Sequence, residues 1–232
     1  MNKYVLIVAG GKGLRMGGDL PKQCIPMRGK PLLMHTLEAF HRWDASARII
    51  LVLPEDHQPY WNMLCKEIGC KVPHAIVKGG DTRFFSVKNG LDWLLAERRR
   101  KGEEDSGLSL VAVHDGVRPF VSPEVVEACF DKAAVTGAVI PVVPMIDSLR
   151  ETDEKGSHPV DRSRYMAVQT PQVFHLELLT KAYEQPYSSL FTDDASVVEA
   201  MGHAIDTVPG DRENIKITTP FDLLIAEAMF AR

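Results

Sequence analysis

The sequence predicts an α/β protein with a mostly parallel, doubly wound sheet. Short β-branched apolar runs alternate with segments of helical periodicity over residues 4–135. The runs Tyr4–Val8 and Arg48–Leu53 are apolar at nearly every position, as strands covered on both faces must be. Several strand-like runs empty directly into loops carrying glycine and charge, where an open α/β sheet binds its ligands.

In chain order, Tyr4–Val8 is the first strand, ended by Ala9 and Gly10. Pro31–Trp43 places Leu33, Leu37 and Phe40 on one helical face. Arg48–Leu53 is a strand stopped by Pro54, and Tyr60–Ile68 is helical. Ala75–Val77 is a short strand running into Gly79-Gly80-Asp81, after which Thr82 caps a long helix reaching about Arg100. Glu103–Gly107 is a polar loop and Ser109–Val113 a strand. Ser122-Pro123-Glu124 opens a helix that runs to about Val135. The rhythm then breaks. Ala138–Val143 reads as a strand, Met145–His158 as a polar hairpin, and Tyr165–Phe174 as a returning strand. Residues 138–166 are therefore expected to form an arm on an otherwise single domain spanning 1–232. Two strands alone are marginal in water, so a second subunit is the simplest cover for the arm. Helices from Leu176 and Asp193, strands Ala204–Val208 and Ile215–Ile217, and a last helix opened by the capping box Thr219-Pro220-Phe221-Asp222 complete the chain.

Composition narrows the classes. The chain has 232 residues, 45% hydrophobic and 25% charged, which suits one soluble α/β domain rather than a disordered or membrane-embedded chain. A net charge of −4 gives no reason to expect a nucleic-acid partner. No apolar run approaches the roughly 20 residues of a membrane span, and Met1-Asn2-Lys3 leads straight into a strand without a secretory pattern. Cys24, Cys65, Cys70 and Cys129 lack paired spacing and read as reduced thiols, so a cytoplasmic location is expected. The histidines form no metal-binding pair, which argues against a protein-held zinc.

Four clusters fall at predicted strand ends: Gly10–Lys22, Gly79–Ser86, His114–Arg118 and Asn214–Lys216. The first combines Gly10, Gly11 and Gly13 with Arg15 and Lys22, so backbone amides and two cations describe a polyphosphate site. It matches neither the Walker loop nor the dinucleotide fingerprint, which makes a dehydrogenase a poor choice. Asp115 after a strand reads as a turn residue or as a Mg²⁺ ligand facing a triphosphate. Arg118 reads equally well as a structural ion-pair partner, and Lys216 sits oddly in an apolar segment.

The motifs AGGKGLRM, PKQ, GGDTRFFSV, HDGVRPF, VDRS, QTPQVF, TDDAS and NIKIT, in order from Ala9 to Thr218, resemble those of the 2-C-methyl-D-erythritol 4-phosphate cytidylyltransferases. The resemblance implies a Rossmann-like sheet of the nucleotidyltransferase type with a projecting β-arm. It implies that Ala9, Gly10, Gly11 and Gly13, with Gly80, Asp81 and Ser86, bind CTP, and that Arg15, Lys22 and Lys216 are catalytic. It further implies that Asp115, Arg118, Ser148, Arg162, Thr192 and Lys216 bind the polyol phosphate, that Asp115 serves Mg²⁺ or another divalent cation, and that Arg162 and Thr192 act in the neighbouring subunit's site of a homodimer. Ser148 stands where the family usually has threonine. A cytidylyltransferase for another polyol phosphate, such as ribitol 5-phosphate, shares the nucleotide half, and a non-catalytic nucleotide-binding module is the rival from another class.

Overall fold

The computed structural model of the chain describes residues 1–10, 20–103 and 107–231. It opens with β1 (Asn2–Val8), the two-residue strands β2 (Pro26–Met27) and β3 (Lys30–Pro31), and helix α1 (Leu32–Trp43). There follow β4 (Arg48–Leu53), α2 (Gln58–Ile68), β5 (His74–Lys78), α3 (Arg83–Lys101), β6 (Ser109–Asp115) and α4 (Pro123–Thr136). The second half holds β7 (Ala138–Pro144), β8 (Leu149–Asp153), β9 (Gly156–Val160), β10 (Met166–Val168), β11 (Gln172–His175), α5 (Leu176–Ala182), α6 (Asp194–Glu199), β12 (Asp206–Pro209) and α7 (Pro220–Phe230).

Among the described residues the main sheet has eight strands. The strands β5, β4, β1 and β6 lie side by side and parallel. Strand β11 runs antiparallel between β6 and β7, β10 continues antiparallel along β7, and β12 pairs with β7 in parallel. The sheet is thus mostly parallel, as predicted. Alternation along β1 builds two cores. Val5 and Ile7 pack with Leu37, Phe40, Trp61 and Phe130 from α1, α2 and α4. Tyr4 and Leu6 pack with Leu91, Leu94, Leu179 and Val198 from α3, α5 and α6. Period-2 alternation in a strand buried on both faces requires this three-layer arrangement.

The expected helix starts hold. The Thr82 side chain accepts from Phe85 N–H, that of Ser122 from Val125 N–H, and Thr219 and Asp222 form a reciprocal capping box. Three expectations need correction. Tyr165–Phe174 is not one strand but β10 and β11, separated at Gln169–Pro171 by a cis Thr170–Pro171 peptide. Pro171 has no N–H to give a ladder, and the Thr170 hydroxyl is turned to His114 Nδ1 at 3.0 Å. Ile215–Ile217 is not a strand but an irregular connection, joined to the body through Ile217 N–H to Val117 O at 3.0 Å. Of residues 138–166, the first seven belong to the main sheet, while β8 and β9 pair only with each other and are mostly exposed. All four cysteines are free thiols, and no helix among the described residues is long and apolar enough to cross a membrane.

Candidate active site

The carboxyl ends of the parallel strands surround one cleft. It is lined by Val8 at the end of β1 with Ala9 and Gly10 beyond it, Lys22 and Gln23, Gly80–Thr82 between β5 and α3, Arg83 and Ser86 in the first turn of α3, Asp115 at the end of β6 with Val117 beyond it, and Lys216. The β5–α3 turn is held from within. The Gly80 N–H donates to Ser86 Oγ at 3.1 Å, and that hydroxyl donates to Thr82 O at 2.9 Å. Gly80 must be glycine for a steric reason: a Cβ there would lie 2.4 Å from Phe85 Cβ and 2.9 Å from the Phe85 carbonyl carbon. Because the obstacle is helix backbone, Gly80→Ala is expected to push the turn outward and, under the nucleotide-binding role that the sequence resemblance implies, to raise KM for the nucleotide about tenfold, roughly 1.4 kcal/mol. Steady-state kinetics with the nucleotide varied would read it, and an unchanged KM would show that this turn does not touch the ligand.

Asp115 is the hub. Its Oδ2 lies 3.0 Å from Lys216 Nζ and 3.2 Å from Arg118 Nε, and its Oδ1 lies 3.9 Å from Arg83 Nε. Burial opposes ionisation of this carboxyl, but Lys216, Arg83 and Arg118 outweigh burial and hold it well below the ordinary range. Arg118 also donates to Asn214 O at 2.7 Å, clamping the segment that carries Lys216 onto the end of β6. Beneath Asp115, His114 is fully buried. Its Nε2–H donates to Arg118 O at 3.0 Å, and its Nδ1 accepts from the Thr170 hydroxyl, which itself accepts from Asp115 N–H at 3.1 Å. These partners assign a neutral imidazole, and burial pushes its pKa down to about 4. His114 therefore supports Asp115 from below and presents no proton to the cleft.

A profile of the family described as 2-C-methyl-D-erythritol 4-phosphate cytidylyltransferase matches residues 4–232. The chain belongs to this family. Relatives of that name from Bacteroides fragilis and Phocaeicola vulgatus are each 55% identical over 229 residues, covering 99% of this chain and 100% of theirs. One from Bacillus licheniformis is 40% identical over 232 residues, covering 99% of this chain and 96% of its own. Among solved structures, the 2-C-methyl-D-erythritol 4-phosphate cytidylyltransferase of Thermus thermophilus superposes with a TM-score of 0.72 at 31% identity, covering 100% of both chains. The 4-diphosphocytidyl-2C-methyl-D-erythritol synthase of Anaerococcus prevotii gives a TM-score of 0.79 at 28% identity, covering 100% of this chain and 96% of its own.

With the cytidylyltransferase family established, the expected site residues sort by position. Ala9, Gly10, Lys22, Gly80, Asp81, Ser86, Asp115 and Lys216 share the cleft. Arg118 stands behind it, bonded to Asp115. Gly11, Gly13 and Arg15 lie outside the described residues. Ser148 precedes β8, Arg162 sits just after β9 with its guanidinium bonded to Ile146 O, and Thr192 precedes α6, its N–H donating to Ser196 Oγ at 3.0 Å. None of these three lines the cleft of its own chain as described. Sequence reasoning passed over Arg83, a cleft residue, and Asp194, its buried partner. The available signal was weak. Arg83 follows a glycine turn, and Asp194 stands beside a cap residue in TDDAS, but nothing in the sequence joins two positions 111 residues apart.

Proposed function

We propose that this cleft performs the family's reaction, transfer of a cytidylyl group from CTP to 2-C-methyl-D-erythritol 4-phosphate with release of pyrophosphate. The supporting observation is convergence: Ala9 and Gly10 after β1, the Gly80–Thr82 turn after β5, Lys22, Asp115 and Lys216 line one cleft from separate parts of the chain. A phosphate-monoester oxygen of the acceptor attacks the α-phosphorus of CTP, and the bond to the β-phosphate bridging oxygen breaks. A monoester phosphate with a second pKa near roughly 6 is already anionic at neutral pH, so no general base is required. The buried, neutral His114 agrees with that. The site's task is to let two polyanions meet and to receive charge on the departing pyrophosphate. In this reading Arg15 and Lys22 hold the triphosphate, and Lys216 faces the reacting phosphates. Ala9 to Gly11, Gly13, Gly80, Asp81 and Ser86 surround the nucleoside.

Mg²⁺ is part of the proposal, and the donor set can be tested against it. Among the described residues no group of three His, Cys, Asp or Glu could hold a metal by itself. Asp115 Oδ1 lies beyond hydrogen-bond range of Arg83 and offers one hard oxygen at the cleft. Mg²⁺ commonly takes one or two carboxylates and completes its shell with phosphate and water, so these residues fit a cation that arrives with the nucleotide. When bound it supplies charge neutralisation at the phosphate oxygens.

A shared site in a homodimer, in the cytoplasm, completes the reading. The exposed β8–β9 hairpin, paired with no other strand among the described residues, supports the dimer, and the four free thiols suit a reducing compartment. Arg162 and Thr192 would then serve a neighbour's cleft. Inactive Arg162→Ala mixed with inactive Lys22→Ala is expected to regain partial turnover through hybrid dimers. Silence after verified subunit exchange would refute sharing. The activity itself is tested by pyrophosphate release with each of the four nucleoside triphosphates against methylerythritol phosphate and ribitol 5-phosphate. CTP with methylerythritol phosphate is expected to lead by orders of magnitude; a preference for ribitol phosphate would reassign the acceptor.

A further inference from the structure

We infer that Arg83 is a positioning residue for cytidylyl transfer, a fixed fork that sets the start of α6 and the end of β6 relative to the nucleotide-binding turn. The inference rests on the reaction proposed above. Arg83 is the first residue of α3, directly after the Gly79–Thr82 turn, and lines the cleft. Its Nη1 and Nη2 donate to the two oxygens of Asp194 at 2.9 and 2.6 Å, while its Nε faces Asp115 Oδ1 at 3.9 Å. Asp194 is fully buried, begins α6 two residues after Thr192, and also accepts from the Tyr183 hydroxyl at 2.6 Å. The residues flanking Asp194 are pinned separately. The Gln172 amide donates to Asp193 Oδ2 at 2.8 Å and accepts from Ala195 N–H at 2.9 Å. One guanidinium thus bonds the turn carrying Gly80 and Asp81 to the helix start beside Thr192, and stands within ion-pair range of the strand end carrying Asp115.

Two physical arguments favour positioning over plain stability. A bidentate guanidinium–carboxylate pair fixes angle as well as distance, which lysine cannot do. And a buried ion pair is an inefficient stabiliser, because apolar side chains of similar volume often serve the fold as well or better. The arginine's second assignment, toward Asp115 at the cleft floor, is what an apolar replacement would lack.

That difference defines the experiment, done on the full chain with CTP, Mg²⁺ and methylerythritol phosphate. The triple variant Arg83→Met, Asp194→Leu, Tyr183→Phe leaves no buried charge unpaired and is expected to melt near the parent. Its kcat/KM for methylerythritol phosphate should nonetheless fall about 100-fold, as for a misplaced reacting group, with KM for CTP changed less than about threefold. Arg83→Lys, which keeps the charge and loses the fork, should fall about tenfold in the same parameter. Should the triple variant not fold, Arg83→Lys and Tyr183→Phe still decide: both should impair acceptor use while sparing KM for CTP. Parent-like acceptor kinetics in these variants, or equal loss for both substrates, would overturn the inference. A parent enzyme without turnover would overturn the reaction on which it rests.

Discussion

Lys216→Ala is expected to lower kcat by about 10²–10³-fold, on the order of 3–4 kcal/mol, the effect of removing one preorganised donor from a transition state that develops charge. The ammonium lies 3.0 Å from Asp115 Oδ2, and the side chain, 43% exposed, lines the cleft. Its backbone is held independently of the side chain, by Arg118 on Asn214 O and by Ile217 N–H on Val117 O. The variant should therefore fold. Arg83 and Arg118 remain beside Asp115 and continue to favour its charged form. The loss should appear mainly in kcat, since a ligand charge contact made equally in ground and transition states would alter KM instead. Single-turnover kinetics with saturating CTP and Mg²⁺ provide the measurement. A near-parent chemical step would remove Lys216 from the reaction and leave it as a partner of Asp115 alone.

Between pH 6.5 and about 4, His114 is expected to withdraw about 3 kcal/mol of folding stability. The sign follows from its surroundings. In the unfolded chain an imidazole takes up a proton near pH 6.5. In the folded chain burial delays that to about 4; the Arg118 carbonyl and Asp115 act to raise it, but burial, helped by the charges of Arg118 and Lys216, outweighs them. Within this window the unfolded state binds one more proton, so stability is complete above pH 6.5 and falls as the pH drops. Urea unfolding across that range should show the slope, and His114→Gln should show about one proton less of it. Identical slopes in parent and variant would mean that His114 does not titrate as its burial dictates. His35 and His74, also lowered by burial, contribute to both curves and cancel in the difference.

The strands β1, β4 and β6 and the helices α1, α3, α4 and α7 were legible because local chemistry determines them. Apolar runs, a Thr or Ser cap and a proline in the first turn act within a few residues. Residues 165–174 and 215–217 misled for a complementary reason. Both runs satisfy strand propensity, yet pairing is a tertiary fact, and the polar side chains of 169 and 170 are engaged elsewhere.

The candidate site divides the same way. That Gly10, Lys22, Gly80, Asp115 and Lys216 belong together was readable, because each stands in a local motif at a strand end or loop, and the fold brings all five to one cleft. The order of clusters along the chain further identified the family. What the sequence alone determined was therefore the inventory: alternating elements, the strand-end loops and the family to which they belong. Only the tertiary structure decided the partnerships, among them Arg118 on Asn214, the Thr170–His114–Asp115 chain, and Arg83 on Asp194. Those contacts join residues far apart in sequence, and a buried charge or imidazole acquires its role from whichever neighbour the fold brings within hydrogen-bond range.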